Sequence, residues 1–306
     1  MKYNDEKTIK FINELPQTNS VCSYGSGFFN QDDNIEKKDM DLMISVDNPN
    51  QWHQDNYLQN PDMYEGSGID ALLNYDEDYS FPNGLGAFFT EYEGRTYKLV
   101  VVDKRLLYED LKTWNHFSLP GRFQKPMKIL VDNTNGVLPK LMRDNYDNAI
   151  KTVLLMKNDL PFSKKELYKD ITSLSYKGDM RVLAHFENPD KIKNIVTGAY
   201  DFFKETYGDS DLYDYLGDYI MRKDYIDNND IIDSMPKALK SYLLENATYK
   251  MLRNDKITAI KINNFLRKRN LQDSVLMALR CRKTVGSEKT LYTITDKAIK
   301  GFVKRK

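Results

Sequence analysis

Apolar positions recur at helical spacing over residues 5–15, where Ile9, Ile12 and Leu15 share one side and Pro16 stops the run. The pattern predicts a short amphipathic helix. The period then changes. Residues 20–25 have a β-branched, apolar lead-in through Val21, Cys22 and Tyr24, which predicts a strand breaking at Gly25-Ser26-Gly27. MDLMISVD, at 40–47, alternates and predicts a second strand. GAFFTEYEGRTYKLVVVD, at 86–103, predicts a hairpin with two β-rich arms around Glu93-Gly94. Between them, 48–85 is acidic and rich in Asn and Tyr, with few periodic apolar positions; helical pieces joined by loops are expected.

From about residue 104 the period is helical. KRLLYEDLKTW has apolar residues at helix spacing, and SKKELYKDITSLS opens with Ser163 three residues before Glu166, a capping box. Residues 190–206 predict one amphipathic helix ended by Gly208, and 211–280 continue as helices of high charge density. The order is an α+β front followed by a mostly helical back half.

Composition narrows the class. At 306 residues the chain is long for one core, so two or three domains are expected. Lys+Arg and Asp+Glu both number 45, so no whole-molecule basic field draws in nucleic acid, and none is expected as a partner. Cys22 and Cys281 are the only cysteines, which excludes a disulfide framework and fits a reducing compartment. The opening MKYNDEKTIKFINELP has no apolar core and carries Asp5, Glu6 and Glu14, unlike a signal peptide or presequence. No apolar run is long enough to predict a membrane-spanning helix.

Chemistry concentrates on the first two strands. Asp39 and Asp41 lie two apart at the start of the second strand, so both carboxylates face one way. Such a pair repels unless a cation sits between, and Mg²⁺ suits hard oxygen donors of this kind. About a dozen residues upstream, Gly25-Ser26-Gly27 offers close backbone approach and a hydroxyl to an anion. Strand, Gly-Ser, then Asp-x-Asp on the next strand is the fingerprint of the nucleotidyltransferase fold of the DNA-polymerase-β-like class. Its reaction is in-line attack on an α-phosphate with loss of pyrophosphate.

Longer strings carry a resemblance. YGSGFF, MDLMISVDNPNQWHQDNYLQNPDMY, WNHFSLPGRFQKPMKIL, ELYKDITSLSYKGDMR and KIKNIVTGAYDFFKETYG cover residues 24 to about 208. In these strings and their order the chain resembles the mitochondrial-type phosphatidate cytidylyltransferases, also called translocator assembly and maintenance proteins. The resemblance implies CTP and phosphatidic acid as substrates, CDP-diacylglycerol and pyrophosphate as products, and Mg²⁺ as cofactor. It implies a nucleotidyltransferase domain (1–112), a winged-helix-like helical domain (113–210) and a helical extension (211–306) ending in a basic, amphipathic, membrane-binding segment. Together with the opening residues it implies a bacterial member, cytoplasmic and peripheral on the inner face of the cell membrane.

Residue by residue, Asp41 rests on both arguments and Asp39 on the fold pattern. Lys98, on the hairpin's second arm where the wider fold often has a third carboxylate, is expected to touch phosphate. Tyr24, Gly25, Ser26 and Gly27 are expected around the β- and γ-phosphates. Trp52 and His53 read, on their own, as a helix-start packing pair; the resemblance makes His53 and Asn56 contacts to cytidine, ribose or phosphate. Arg122, Lys125 and Lys128 read either as a solvated charged loop or as cations for the triphosphate and the lipid phosphate. Arg181 reads either as a weak surface pair with Asp179 or as a nucleotide contact. His116 and His185 read as structural or exposed. Residues 280–306 hold nine Lys/Arg against two acids, with Leu291, Ile294, Ala298 and Phe302 at helical spacing, and fit an anionic membrane surface. Two other readings stand: a soluble nucleotidyltransferase with a small-molecule, protein or RNA acceptor, and a non-catalytic lipid or nucleotide sensor.

Overall fold

The structure is a computed structural model that describes residues 6–25, 39–65, 67, 70, 72, 86–157, 161–223 and 226–285. The described residues fall into two compact units. One draws on the described residues within 6–107, 127–138 and 275–285; the other on those within 108–126 and 139–274.

The first unit is built on a mixed five-stranded sheet in the order β3-β4-β2-β1-β5. Its strands are β1 (Ser20–Tyr24), β2 (Asp39–Val46), β3 (Gly86–Tyr92), β4 (Arg95–Asp103) and β5 (Met127–Asp132). β2 is central, antiparallel to β1 and parallel to β4. A central strand covered on both faces needs continuous apolar residues, and Leu42, Met43 and Ile44 supply them at no more than 1% exposure. Helix α1 (Glu6–Asn13) lays Phe11 and Ile12 on the sheet, with Phe11 stacked on Tyr97 at 4.1 Å between ring centroids. Helix α2 (Pro49–Gln59) starts at an Asn48 side-chain cap with Pro49 in its first turn, and buries Trp52 in the same core. The β3–β4 hairpin turns at Glu93 (φ 47°) and Gly94 (φ 75°), the pair of left-handed residues a tight two-residue turn requires.

The second unit is mostly helical. It contains α4 (Ser118–Phe123), α6 (Lys164–Ser173), α7 (Met180–Leu183), α8 (Lys191–Gly198) and α9 (Tyr200–Tyr207), with α10 (Asn228–Asp233), α11 (Lys237–Leu244) and α12 (Tyr249–Leu252) further along. The chain runs through α3 (Lys104–Thr113) between β4 and β5 and through α5 (Val137–Met156) between β5 and β6 (Phe162–Ser163), and it ends its described part in α13 (Asp255–Val285). The capping box at α6 is present, with Ser163 and Glu166 satisfying each other's backbone N–H.

Three elements depart from the sequence reading. The helix predicted over 190–206 is two helices, α8 and α9, broken at Ala199, whose backbone (φ −130°, ψ 32°) is not helical. The stretch predicted as helices from 211 opens with a hairpin, β7 (Tyr213–Leu216) and β8 (Tyr219–Arg222), turning at Gly217 and pairing with β6 (Phe162–Ser163). β7 alternates Tyr213 and Tyr215 with Asp214 and Leu216, a short period of two that the surrounding charge obscures. β5 is also new: MKILVD closes the edge of the first sheet, where a charged loop was one reading of that stretch.

Candidate functional site

Asp41 sits in the middle of a row set by strand register. Tyr24 on β1 and Lys98 on β4 lie directly opposite it, so the three residues share one face of the sheet. Lys98 Nζ is 3.5 Å from Asp41 Oδ1, in a pair about one-third exposed. Screening by water limits what such a pair adds to stability to about 0–1 kcal/mol. Asp39, two residues back on the same face, is exposed, and Tyr24 is buried at the end of β1.

Gly25 follows β1 at φ +80°, a conformation that a side chain rarely tolerates. A Cβ built on it overlaps Asp41 Oδ2. The turn is therefore bare of side chain where it passes the carboxylate, and only glycine lets the backbone approach Asp41 this closely. Among the described residues no group of three or more His, Cys, Asp or Glu comes together as a metal cage. Two carboxylates on one face are, however, the donor set that a divalent cation sharing its coordination with substrate phosphates uses. Asp39 and Asp41 fit that group. Ser26 and Gly27, the rest of the expected phosphate turn, lie outside the described residues, as does 286–306.

His53 and Asn56 are on the inner side of α2 and wholly buried. His53 Nδ1 is 2.9 Å from the Tyr64 hydroxyl, Asn56 Nδ2 donates to that hydroxyl at 3.0 Å, and Phe88 meets His53 edge-on. Burial, then the nearby Arg280 charge, pushes the His53 imidazole down to about 3. It is neutral at physiological pH. This is the packing role that the residues alone suggest, with one exception: Nε2 is buried and has no hydrogen-bond partner among the described residues.

In the second unit the expected cations come together. Lys125 Nζ donates to Ser175 Oγ at 2.8 Å and stands 4.8 Å from the Tyr176 ring centroid. Burial first, then the charges of Arg122, Arg181 and Lys191, lowers its ammonium to about 7, with Asp179 pulling the other way. Asp179 is buried and grips Arg181 by a two-pronged contact, Nε to Oδ1 at 3.0 Å and Nη2 to Oδ2 at 2.6 Å. Burial raises the Asp179 carboxyl, but Arg181 outweighs it and holds the group below its usual range. Gly121 lets this packing happen, since a Cβ there would come within 2.6 Å of Ser175 Cβ. Lys128 belongs elsewhere: it pairs in register with Ser23, on the sheet face opposite Asp41. His116 contacts Asp273 at 3.3 Å, and His185 is exposed at φ 62°.

Ser175, Tyr176 and Lys191 were not singled out from sequence. Each lies in a string already noted for its resemblance, LSYKGDMR or KIKNIVTGAY, which is the signal that pointed to them.

An acid pair beside a bare turn and a cluster of cations around Lys125 define a protein equipped for phosphate-bearing ligands. The family model described as "Phosphatidate cytidylyltransferase, mitochondrial" matches residues 8–305, and the chain belongs to that family. Curated proteins of that name are similar to it. That of Schizosaccharomyces pombe is 39% identical over 213 residues, 66% of this chain and 52% of that protein. That of Saccharomyces cerevisiae is 34% identical over 205 residues, 61% and 50% respectively. The human protein is 31% identical over 211 residues, 65% and 45%. The chain spans about half the length of these curated relatives.

Proposed function

We propose that the chain is a phosphatidate cytidylyltransferase, with a nucleotidyltransferase-type first domain and a winged-helix-like second one, divided as the sequence suggests at about 112 and 210. A phosphate oxygen of phosphatidic acid attacks the α-phosphorus of CTP. The bond from that phosphorus to the bridging oxygen breaks, and pyrophosphate leaves with the electron pair. Products are CDP-diacylglycerol and pyrophosphate. The phosphate monoester carries much of its second negative charge near pH 7, so the attack needs little help from a base.

The observation that carries the reading is the row Tyr24–Asp41–Lys98 beside the side-chain-free Gly25, in a chain whose family is named for this reaction. Asp39 and Asp41 would hold Mg²⁺, which when bound lowers the cost of charge building on the phosphates. Lys98 offers a cation to the same region, and Asp41 keeps that cation in place in the free protein. Gly25, with Ser26 and Gly27, would accept the β- and γ-phosphates. Arg122, Lys125 and Arg181, on the second unit, would offer positive charge to a phosphate group. A nucleotide contact by His53 and Asn56 rests on the resemblance alone, since both are wholly buried around the Tyr64 hydroxyl.

No described helix is long and apolar enough to cross a membrane. A lipid acceptor nonetheless requires docking at a membrane, and the basic stretch 280–306 suits an anionic surface such as the inner face of a bacterial cell membrane.

The test is direct. Purified protein is incubated with phosphatidic acid, Mg²⁺ and each nucleoside triphosphate in turn, and the lipid product is identified by mass. CDP-diacylglycerol from CTP alone is expected. Transfer of nucleotide to water-soluble acceptors but not to phosphatidic acid would replace this reading with the soluble enzyme.

A further inference from the structure

The second unit leaves two apolar surfaces exposed, and the charges around them are opposite. The first is the outer face of the β7–β8 hairpin. Register sets Leu216 opposite Tyr219 and Asp214 opposite Met221, so these four side chains share one face. Leu216 is 63%, Tyr219 51% and Met221 39% exposed, while Tyr213 and Ile220 on the other face are buried. The hairpin is anchored, because β8 also pairs with β6 and Lys164 N–H donates to Asp218 O at 3.2 Å. Residues 209–221 contain Asp209, Asp211, Asp214 and Asp218, all exposed, and no Lys or Arg. The first three line one cleft together with Tyr215. Among the described residues only Asp214 of the four is in an ion pair, with Lys223 Nζ at 3.8 Å.

The second surface is on α13. Lys256, Ile260, Arg267 and Leu271 fall on one side of that helix, since steps of four and seven residues return to the same face. All four are exposed, Ile260 at 61% and Leu271 at 42%, and Lys268 is exposed beside them. Residues 256–272 contain five Lys or Arg and no Asp or Glu. Grouped apolar side chains left in solvent mark a contact surface, and charge of one sign around them selects a partner of the other. Each of these surfaces has the composition that the other lacks. Both remain exposed in the single molecule, so they do not cover each other within one chain.

We infer that they meet between two copies of this chain: α13 of one molecule lays Ile260 and Leu271 against Leu216, Tyr219 and Met221 of the other, and Lys256, Arg267 and Lys268 face Asp209, Asp211 and Asp214. Made reciprocally, the contact occurs twice and closes a dimer about a two-fold axis. Each contact is small and rimmed by charge, so the association is weak and sensitive to salt.

Sedimentation velocity of the full chain over a range of concentrations, in low and in high salt, tests the contact. Two charge-reversed variants are run beside it, Asp209→Lys/Asp211→Lys on the hairpin side and Arg267→Glu/Lys268→Glu on α13, each shown to be folded by circular dichroism. The unaltered protein is expected to associate as its concentration rises in low salt and to return to monomer in high salt. Each variant alone is expected to associate at least about tenfold more weakly, because like charges then meet in both contacts. An equal mixture of the two variants is expected to associate again, since every contact between unlike molecules then pairs acid with base. A protein that stays monomeric at every concentration overturns the inference. So does association that both variants leave unchanged, or a loss in the variants that mixing does not restore.

Discussion

Gly25 and Gly94 both hold a left-handed backbone, at φ +80° and +75°, yet only one of them touches the chemistry. A Cβ on Gly94 meets nothing within 4 Å, while one on Gly25 meets the Asp41 carboxylate. Gly94→Ala is therefore expected to cost only backbone strain, about 1–2 kcal/mol of stability, and to leave turnover intact. Gly25→Ala adds displacement of Asp41, and nucleotide transfer falls at least about a hundredfold, as when one preorganised polar contact in an active site is lost. Denaturant melts and product assays on the two variants separate strain from chemistry. Lys125 makes a second prediction. Its ammonium sits near 7 because burial and three neighbouring cations oppose the charge, against 10.5 when the chain is unfolded. Below about 7 both states hold the proton and the penalty is carried in full. Between there and 10.5 the folded state sheds it first, so this residue's contribution to stability improves as pH rises. Anion binding runs the other way. Pyrophosphate should bind best below about pH 7, weaken above it, and take up a proton on binding in the neutral range. Lys125→Arg, charged throughout, should flatten that profile; a profile with the same slope in the variant assigns the titration to another group.

At the level of elements, the junction of α3, α4 and α13 is tied by acids. Asp273, on α13 and nearly inaccessible, accepts from the N–H groups of Phe117 (2.6 Å) and Ser118 (2.9 Å) at the start of α4. Asp110 on α3 accepts from His116 N–H at 3.3 Å, and its second oxygen is buried without a partner among the described residues. Burial, with Asp273 nearby, pushes the Asp110 carboxyl up to about 8. The folded state thus keeps this proton longer than the unfolded chain does, and stability from this group is lost as pH rises from about 4 to 8. Asp110→Asn should remove that loss and raise the melting temperature most above pH 8; equal melting shifts at acid and alkaline pH would contradict it. Elements with one clear period were legible in the sequence. α1, β1, β2, the β3–β4 hairpin and the capped α6 follow from spacing, turn residues and caps. The β7–β8 hairpin was not, because its alternating Tyr and Asp residues lie within a charge-dense stretch that reads as helix. β5 was not, because its short apolar run ILV follows directly on the charged string GRFQKPMK, where Lys128 reads as part of a loop. The break at Ala199 was hidden because its apolar neighbours keep helical spacing across it.

Taken as a whole, the chain puts an acid row and a bare turn on one unit and a cation cluster on the other. The acid row was readable from the Gly-Ser-Gly and Asp-x-Asp spacing alone. The cluster was readable only in part: Arg122, Lys125 and Arg181 are far apart in sequence, and their gathering depends on Gly121 admitting Ser175 and on Asp179 fixing Arg181. The basic stretch 280–306 predicts that the protein floats with vesicles containing anionic lipid and is released by high salt, since surface attraction of this kind is screened within about a nanometre. Flotation that is indifferent to both lipid charge and salt would count against docking by that stretch. The central claim concerns Asp41. CTP, Mg²⁺ and phosphatidic acid are supplied to the unaltered protein and to Asp41→Asn, both shown to be folded by circular dichroism, and CDP-diacylglycerol is counted. The account predicts steady formation by the unaltered protein and a loss of at least about a thousandfold in the variant. Near-normal synthesis by Asp41→Asn would contradict it.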